Sequence, residues 1–287
     1  MPSSLLEGLT VVTTALNLPG PAACARLRSL GARVEKVEPP GGDPFEGFRP
    51  AWYARLHEGM RVHRLDLKSV AGRAAMHALL APADLLVTAQ RPSALARIGL
   101  GPDDLAKHAR LCHVAITGHA PPDEQRPGHD LTYCAEAGLL TPPSVPSTLH
   151  ADMAGAERAV STALALVIAR DRGGAARAAV ASLADAALDL ARPLAEGLTS
   201  PGALLGGGYA GYNLYQARRG WIAVAAIEPH FAARLASALG LASLSSEMLA
   251  AHFVERDADD WEAWAREHDL PISALRAVPD PSPRPSP

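Results

Sequence analysis

The feature that most restricts what this chain can fold into is an alternation near its start. "LTVVTTAL" reads as an apolar strand, "NLPGP" as a Gly/Pro loop, "AACARLRSLG" as a helix ending at Gly31, and "ARVEKVEPPGGDP" as a second strand closed by prolines. A strand, turn, helix and strand in that order make a βαβ unit, which forces the two strands to run parallel. The pattern then recurs. "VHRLDLKS" reads as a strand, "VAGRAAMHALLAPA" as a helix, "DLLVTAQ" as a buried strand, "PDDLAKHA" as a helix and "ARLCHVAITGH" as a further strand. Repetition of this unit predicts an α/β fold with a Rossmann-like parallel sheet and helices on its faces.

Farther along, "MAGAERAVSTALALVIARDR" predicts a long helix from Met153 to the Gly173-Gly174 pair, and "ARAAVASLADAALDLARPL" a short strand and a helix. In "PGALLGGGYAGY", Gly206, Gly207 and Gly208 signal a flexible loop, fit either to cover a substrate or simply to turn the chain. "GWIAVAAI" reads as a strand and "EPHFAARLASALG" as a helix with proline in its first turn. A large domain is therefore expected over 1–200, a small α/β domain over 201–275, and a Pro-rich tail, "VPDPSPRPSP", over 276–287. At 48% hydrophobic residues the chain can bury a full core. With 27 basic against 30 acidic residues it has no field that would gather a polyanion, so no nucleic acid partner is expected. Cys24, Cys112 and Cys134 are scattered and lack CxxC spacing, which fits a reducing cytoplasm. No apolar run approaches the ~18–20 residues of a membrane span, and "MPSSLLEGLTVV" has no leader pattern, so a soluble protein is expected.

Three titratable side chains stand at predicted helix entrances. His129 precedes "DLTYCAEAGLL", Asp152 precedes "MAGAERAVSTALAL", and Glu228 precedes "PHFAARLASALG". Helix N-termini carry unpaired N–H groups and a positive partial charge, so three such groups could supply an acid, a base and oxyanion donors. Capping is the plainer account of Asp152 and Glu228. His129 resists it, because Asp130 beside it can cap the helix and leave the imidazole without a folding task. The loop before the first helix has a single glycine, Gly20, where a dinucleotide fold would carry GxGxxG, so no NAD or FAD is expected. His113, His119, His129 and His150 match no HxxxH or HExxH spacing, and no metal is expected. Cys134 reads as a small core residue rather than a nucleophile.

"LLEGLTVV", "GPAACARLRSLGARVEKVEPPGGDP", "LDLKSVAGRAAMHALLAPADLLV", "RPSALARIGLG", "RPGHDLTYCAEAGLL", "ADMAGAERAVSTALALVIARDR" and "LLGGGYAGYNLY" with "GWIAVAAIEPHF" together resemble the class III CoA-transferase and α-methylacyl-CoA racemase superfamily, also called CaiB/BaiF, collinearly to about Leu270. The resemblance implies a large CoA-binding domain and a smaller C-terminal domain, expected here to be truncated. It implies a homodimer, interlocked in longer members, and no cofactor beyond coenzyme A as substrate carrier. Racemase members use a His and an Asp on opposite faces of the α-carbon with a supporting Glu, which correspond to His129, Asp152 and Glu228. Transferase members use an aspartate as acyl-accepting nucleophile, again at Asp152. The transferases' first-loop glutamine aligns with Leu18, with Asn17 adjacent. For the CoA phosphates the resemblance implies Lys36, Arg91 and Arg97. Of the family's basic stretch, "HEGMR" keeps Arg61 and introduces Glu58. The expected activity is racemisation or epimerisation of a 2-methylacyl-CoA type thioester. CoA transfer through Asp152 is the alternative, and a non-catalytic or altered-function homologue a third reading.

Overall fold

The computed structural model describes residues 5–276. Beyond Arg276, the tail expected over 276–287 lies outside the described residues. The chain forms two compact units that adjoin at Ala191 and Arg192. In the first, the elements run β1 (Thr10–Thr13), α1 (Pro19–Ser29), β2 (Arg33–Glu38), α2 (Pro44–Phe48), α3 (Pro50–His57), β3 (Arg61–Arg64), α4 (Val70–Leu80) and β4 (Leu85–Thr88). They continue with α5 (Pro92–Arg97), α6 (Pro102–Leu105), β5 (Cys112–Thr117), α7 (Asp130–Glu136), α8 (His150–Asp171) and β6 (Ala178–Ser182). Helix α9 (Leu183–Ala195) then carries the chain across the boundary.

All six strands pair in parallel, in the order β3-β2-β1-β4-β5-β6. The period-2 alternation of side chains sorts neighbouring residues into two layers. Val11, Val34 and Leu85 enter the core under α1 and α8, whereas Val12, Val37 and Leu86 enter the core with Met76 and Leu80 of α4. Burial on both faces explains why β4 reads as an unbroken apolar run, with all four residues buried. Gly20 serves packing: a Cβ there would lie 2.1 Å from that of Ala15. Strand order reverses between β1 and β4, and in sheets of this kind the crevice outside the strand C-termini at that point is where ligands bind.

The second unit holds a π-helical turn at Leu204–Gly208, then β7 (Tyr212–Gln216), β8 (Trp221–Ala225), α10 (Pro229–Ala238), α11 (Ser246–Phe253), α12 (Ala258–Glu267) and β9 (Ile272–Ala274). Its antiparallel sheet, β7-β8-β9, covers a core of Tyr215, Ile222, Val224, Phe253 and Trp261. The indole of Trp261 donates to the Phe253 carbonyl at 2.7 Å, so the buried ring keeps its polar group satisfied. The glycine run folds into the turn because nothing larger fits: a Cβ on Gly206 would stand 1.8 Å from the Ser200 carbonyl oxygen, and Gly207 has φ +89°. Among the described residues no helix is long and apolar enough to cross a membrane.

Candidate active site

The loops that follow β1, β4 and β5 enclose a cavity of about 530 Å³ at the switch point. Asn17 lines it from the first loop, Gln90 and Arg91 from the second, and His129, Tyr133 and Asp152 from the segment beyond β5. A second cavity of about 470 Å³ lies over the ends of β2 and β3, shares Leu16 and Gln90 with the first, and has Lys68 at its wall. Gly128 sets the approach of His129: a Cβ at position 128 would fall 2.4 Å from the Tyr133 ring, so the chain passes that ring as glycine or not at all.

His129 is the N-cap residue of α7, where its own N–H donates to the Thr132 hydroxyl at 3.0 Å. Asp130 turns out to cap a different helix from the expected one. Its Oδ1 accepts the backbone N–H of Asp152 at 2.9 Å, in the first turn of α8. That helix starts at His150, before the expected Met153, so Asp152 sits inside its first turn rather than ahead of it. One first-turn donor of α8 is therefore spent on α7, and the oxyanion donors expected at this helix entrance are reduced accordingly. Burial, and after it the like charge of Asp130, pushes the Asp152 carboxyl up to about 6, against an opposing pull from His129. Tyr133 is raised as well, by burial and then by Asp152 and Glu136. The three cysteines are buried, and burial pushes the Cys24 thiol up to about 12 and raises Cys112 and Cys134, which suits core packing.

Lys36 has no exposed surface, which corrects its implied place among the CoA-phosphate ligands. Its ammonium lies 2.5 Å from Asp43 Oδ2, 2.7 Å from His57 Nε2 and 3.1 Å from Glu38 Oε1. The His57 ring donates from Nδ1 to the Tyr53 carbonyl at 2.7 Å, leaving Nε2 to accept from Lys36. Burial first, then the Lys36 charge, lowers the His57 pKa, consistent with a neutral ring. Glu38, Asp43 and His57 are close enough to hold a metal ion, but the lysine ammonium already occupies the middle of the group.

Of the residues singled out in the sequence, the structure brings His129, Asp152 and Arg91 to one cavity. Arg61 lies on edge strand β3, 3.6 Å from Glu35, and Arg97 is exposed at the end of α5; neither lines the cavity. Glu228 is the exposed N-cap of α10 in the second unit, which also holds Gly206, Gly207 and Gly208. Sequence reasoning passed over Gln90, Tyr133 and Lys68, whose types carry no spacing signal. It also missed His57, which inside "HEGMR" marks a lost basic stretch and gives no sign of a buried partner for Lys36.

A family model for CoA-transferase family III matches residues 6–282. The probable fatty acyl-CoA transferase Rv3272 of Mycobacterium tuberculosis is 31% identical over 209 residues, 66% of this chain and 53% of that protein. Human alpha-methylacyl-CoA racemase is 30% identical over 259 residues, 83% of this chain and 65% of its own length. The chain thus spans less than two thirds of both relatives. The crystal structure of Rv3272 matches with a TM-score of 0.83 at 25% identity, covering 96% of this chain and 86% of that one.

Proposed function

The chain belongs to CoA-transferase family III, and from that membership we propose that it racemises or epimerises acyl-CoA thioesters of the 2-methylacyl type. The observation that carries the reading is a carboxyl raised to about 6 in the same cavity as an imidazole. A proton shuttle needs a group that holds and releases its proton near the working pH. With the proton on Asp152 and the ring neutral, His129 takes the α-hydrogen and its electrons move into the thioester carbonyl. The resulting enolate accepts the Asp152 proton on its other face. The pair ends as imidazolium and carboxylate, ready for the opposite hand, and no proton is gained or lost. Glu228 keeps the supporting role that the resemblance implies, and the chain is read as a homodimer. The nucleotide end of CoA is assigned to the neighbouring cavity, where Lys68 supplies a cation, and Arg91 supplies another in the first.

Incubation with a 2-methylacyl-CoA in D2O, followed by mass spectrometry, tests the reading. Deuterium uptake by the parent protein, suppressed in both His129→Ala and Asp152→Ala, is expected. Because the pair must hold one proton between its members, the two substrate hands should differ in pH dependence. The hand for which Asp152 is the acid slows as pH rises through about 6, and the hand for which it is the base slows as pH falls through the same value.

CoA transfer is the second reading, favoured by the likeness to the M. tuberculosis protein named as a transferase. It would use the Asp152 carboxylate as nucleophile, and a group raised to about 6 is mostly ionised at pH 7. CoA exchange that survives His129→Ala but not Asp152→Ala, with no deuterium uptake, would replace the first reading with this one.

A further inference from the structure

Leu16 and Asn17 line the cavity from a loop, residues 14–18, that hangs on a buried charge. Asn17 sits there at φ +65°, in the left-handed region that asparagine tolerates better than most non-glycine residues. What holds it is Asp43. One carboxylate oxygen of Asp43 accepts the Asn17 N–H at 3.0 Å and the Phe45 N–H at 2.9 Å, while the other receives the Lys36 ammonium at 2.5 Å. Both side chains are fully enclosed. The cavity's other amide residue, Gln90, has its amide engaged: it donates to the Thr14 carbonyl at 2.6 Å and accepts the Thr14 hydroxyl at 2.8 Å. Asn17 is an exposed residue of the cavity rim, and among the described residues nothing pairs with its side-chain amide. The Asp152 N–H at the start of the nearby helix is committed too, to Asp130.

We propose that the Lys36–Asp43 pair is a positioning device for Asn17, holding its amide at the cavity wall as a donor to the thioester oxygen of the bound acyl-CoA. The proposal rests on the reading of the cavity as an acyl-CoA site. Asp43 and Lys36 are positioning residues that touch no substrate, and Asn17 is the residue that meets it. Without that anchor the loop is free to shift and carry the amide away. An amide aimed at the oxygen serves the reaction most as that oxygen gains charge, so its loss falls on kcat more than on KM.

Amide hydrogen exchange read by mass spectrometry, with kinetics of α-proton exchange alongside, tests this on the full chain. Asp43→Ala should speed exchange in the peptide covering residues 14–18 at least tenfold relative to peptides from α8. Asp43→Asn, which retains an acceptor for the Asn17 N–H, should restore protection. Asn17→Gly suits the left-handed backbone and should leave the melting temperature unchanged, yet lower kcat at least tenfold with KM little altered. Parent-like loop protection in Asp43→Ala would overturn the positioning role, and parent-like kcat in Asn17→Gly would overturn the donor role. Absence of α-proton exchange in the parent would instead sink the functional reading and the donor role that rests on it. The loop measurement uses no substrate and decides the positioning role by itself.

Discussion

Two groups of carboxylates lie near the C-terminal edge of the same sheet, and the protein treats them in opposite ways. Around Lys36, the acids Glu38 and Asp43 are sealed from solvent and share a buried cation. Around His129, the acids Asp130 and Asp152 are set beside each other, and Asp152 is raised to about 6. The first group is held together by that cation and fixes a loop, with Glu38 Oε2 the one buried oxygen of the group that has no hydrogen-bond partner. The second is left with a charge that the protein does not neutralise, which is the condition in which a carboxyl can exchange a proton with something that arrives from outside. The difference lies in the partners rather than in the residue types.

The strongest way to break this contrast is to remove the unneutralised group. His129→Ala and Asp152→Ala should each cut α-proton exchange by about 10²–10⁴-fold, measured by deuterium uptake, while both proteins stay folded. A variant that kept most of its exchange would show that the cavity pair is not the working one. Next in size, Lys36→Met strands two buried carboxylates and should cost about 3–5 kcal/mol of stability, read from urea unfolding. If stability were unchanged, Lys36 would not be what offsets the two buried carboxylates.

A smaller effect has the opposite sign. The Asp152 carboxyl is raised from 3.8 to about 6, so the folded state binds the proton more tightly than the unfolded chain. Stability therefore falls as pH rises from about 4 to 6 and stays reduced above that range. Asp152→Asn removes the ionisation and should stabilise the protein at pH 8 by roughly 1–3 kcal/mol, a gain that fades below about pH 4. Parallel stability curves for parent and variant across that range would contradict the raised pKa. Smallest of all, Glu46→Gln removes the exposed partner of Arg64 at the margin of the buried cluster. It should change stability by less than about 1 kcal/mol, and a larger loss would extend the cluster to the surface.

The sheet was legible because strands buried on both faces read as apolar runs, and because Gly and Pro punctuate the connections. The short helices α2 and α3 were not, since "GGDPFEGFRPAWYARL" reads as a proline-broken loop until Asp43 is seen to cap the first of them at the Phe45 N–H. His129 and Asp152 were singled out by their places at helix entrances and by the resemblance, and the structure brings both to one cavity. Lys36 was misplaced because a lysine on a strand looks the same in sequence whether its ammonium meets a phosphate or a buried aspartate. What decided it was His57, brought in from 21 residues away. Capping was misassigned for a related reason: Asp130 was matched to the helix that it begins, and its carboxylate reaches across to the next one.

That reach acts as a rivet between two parts of the chain that differ greatly in tolerance to change. Residues 141–149, between α7 and α8, are almost entirely exposed, and the side-chain bond from Asp130 to the Asp152 N–H clamps the helix starts from beneath them. The connecting segment is thus released from the task of setting the spacing of the two groups. Natural variation, or an engineer, can lengthen, shorten or replace it while the helix starts that carry His129 and Asp152 stay pinned together.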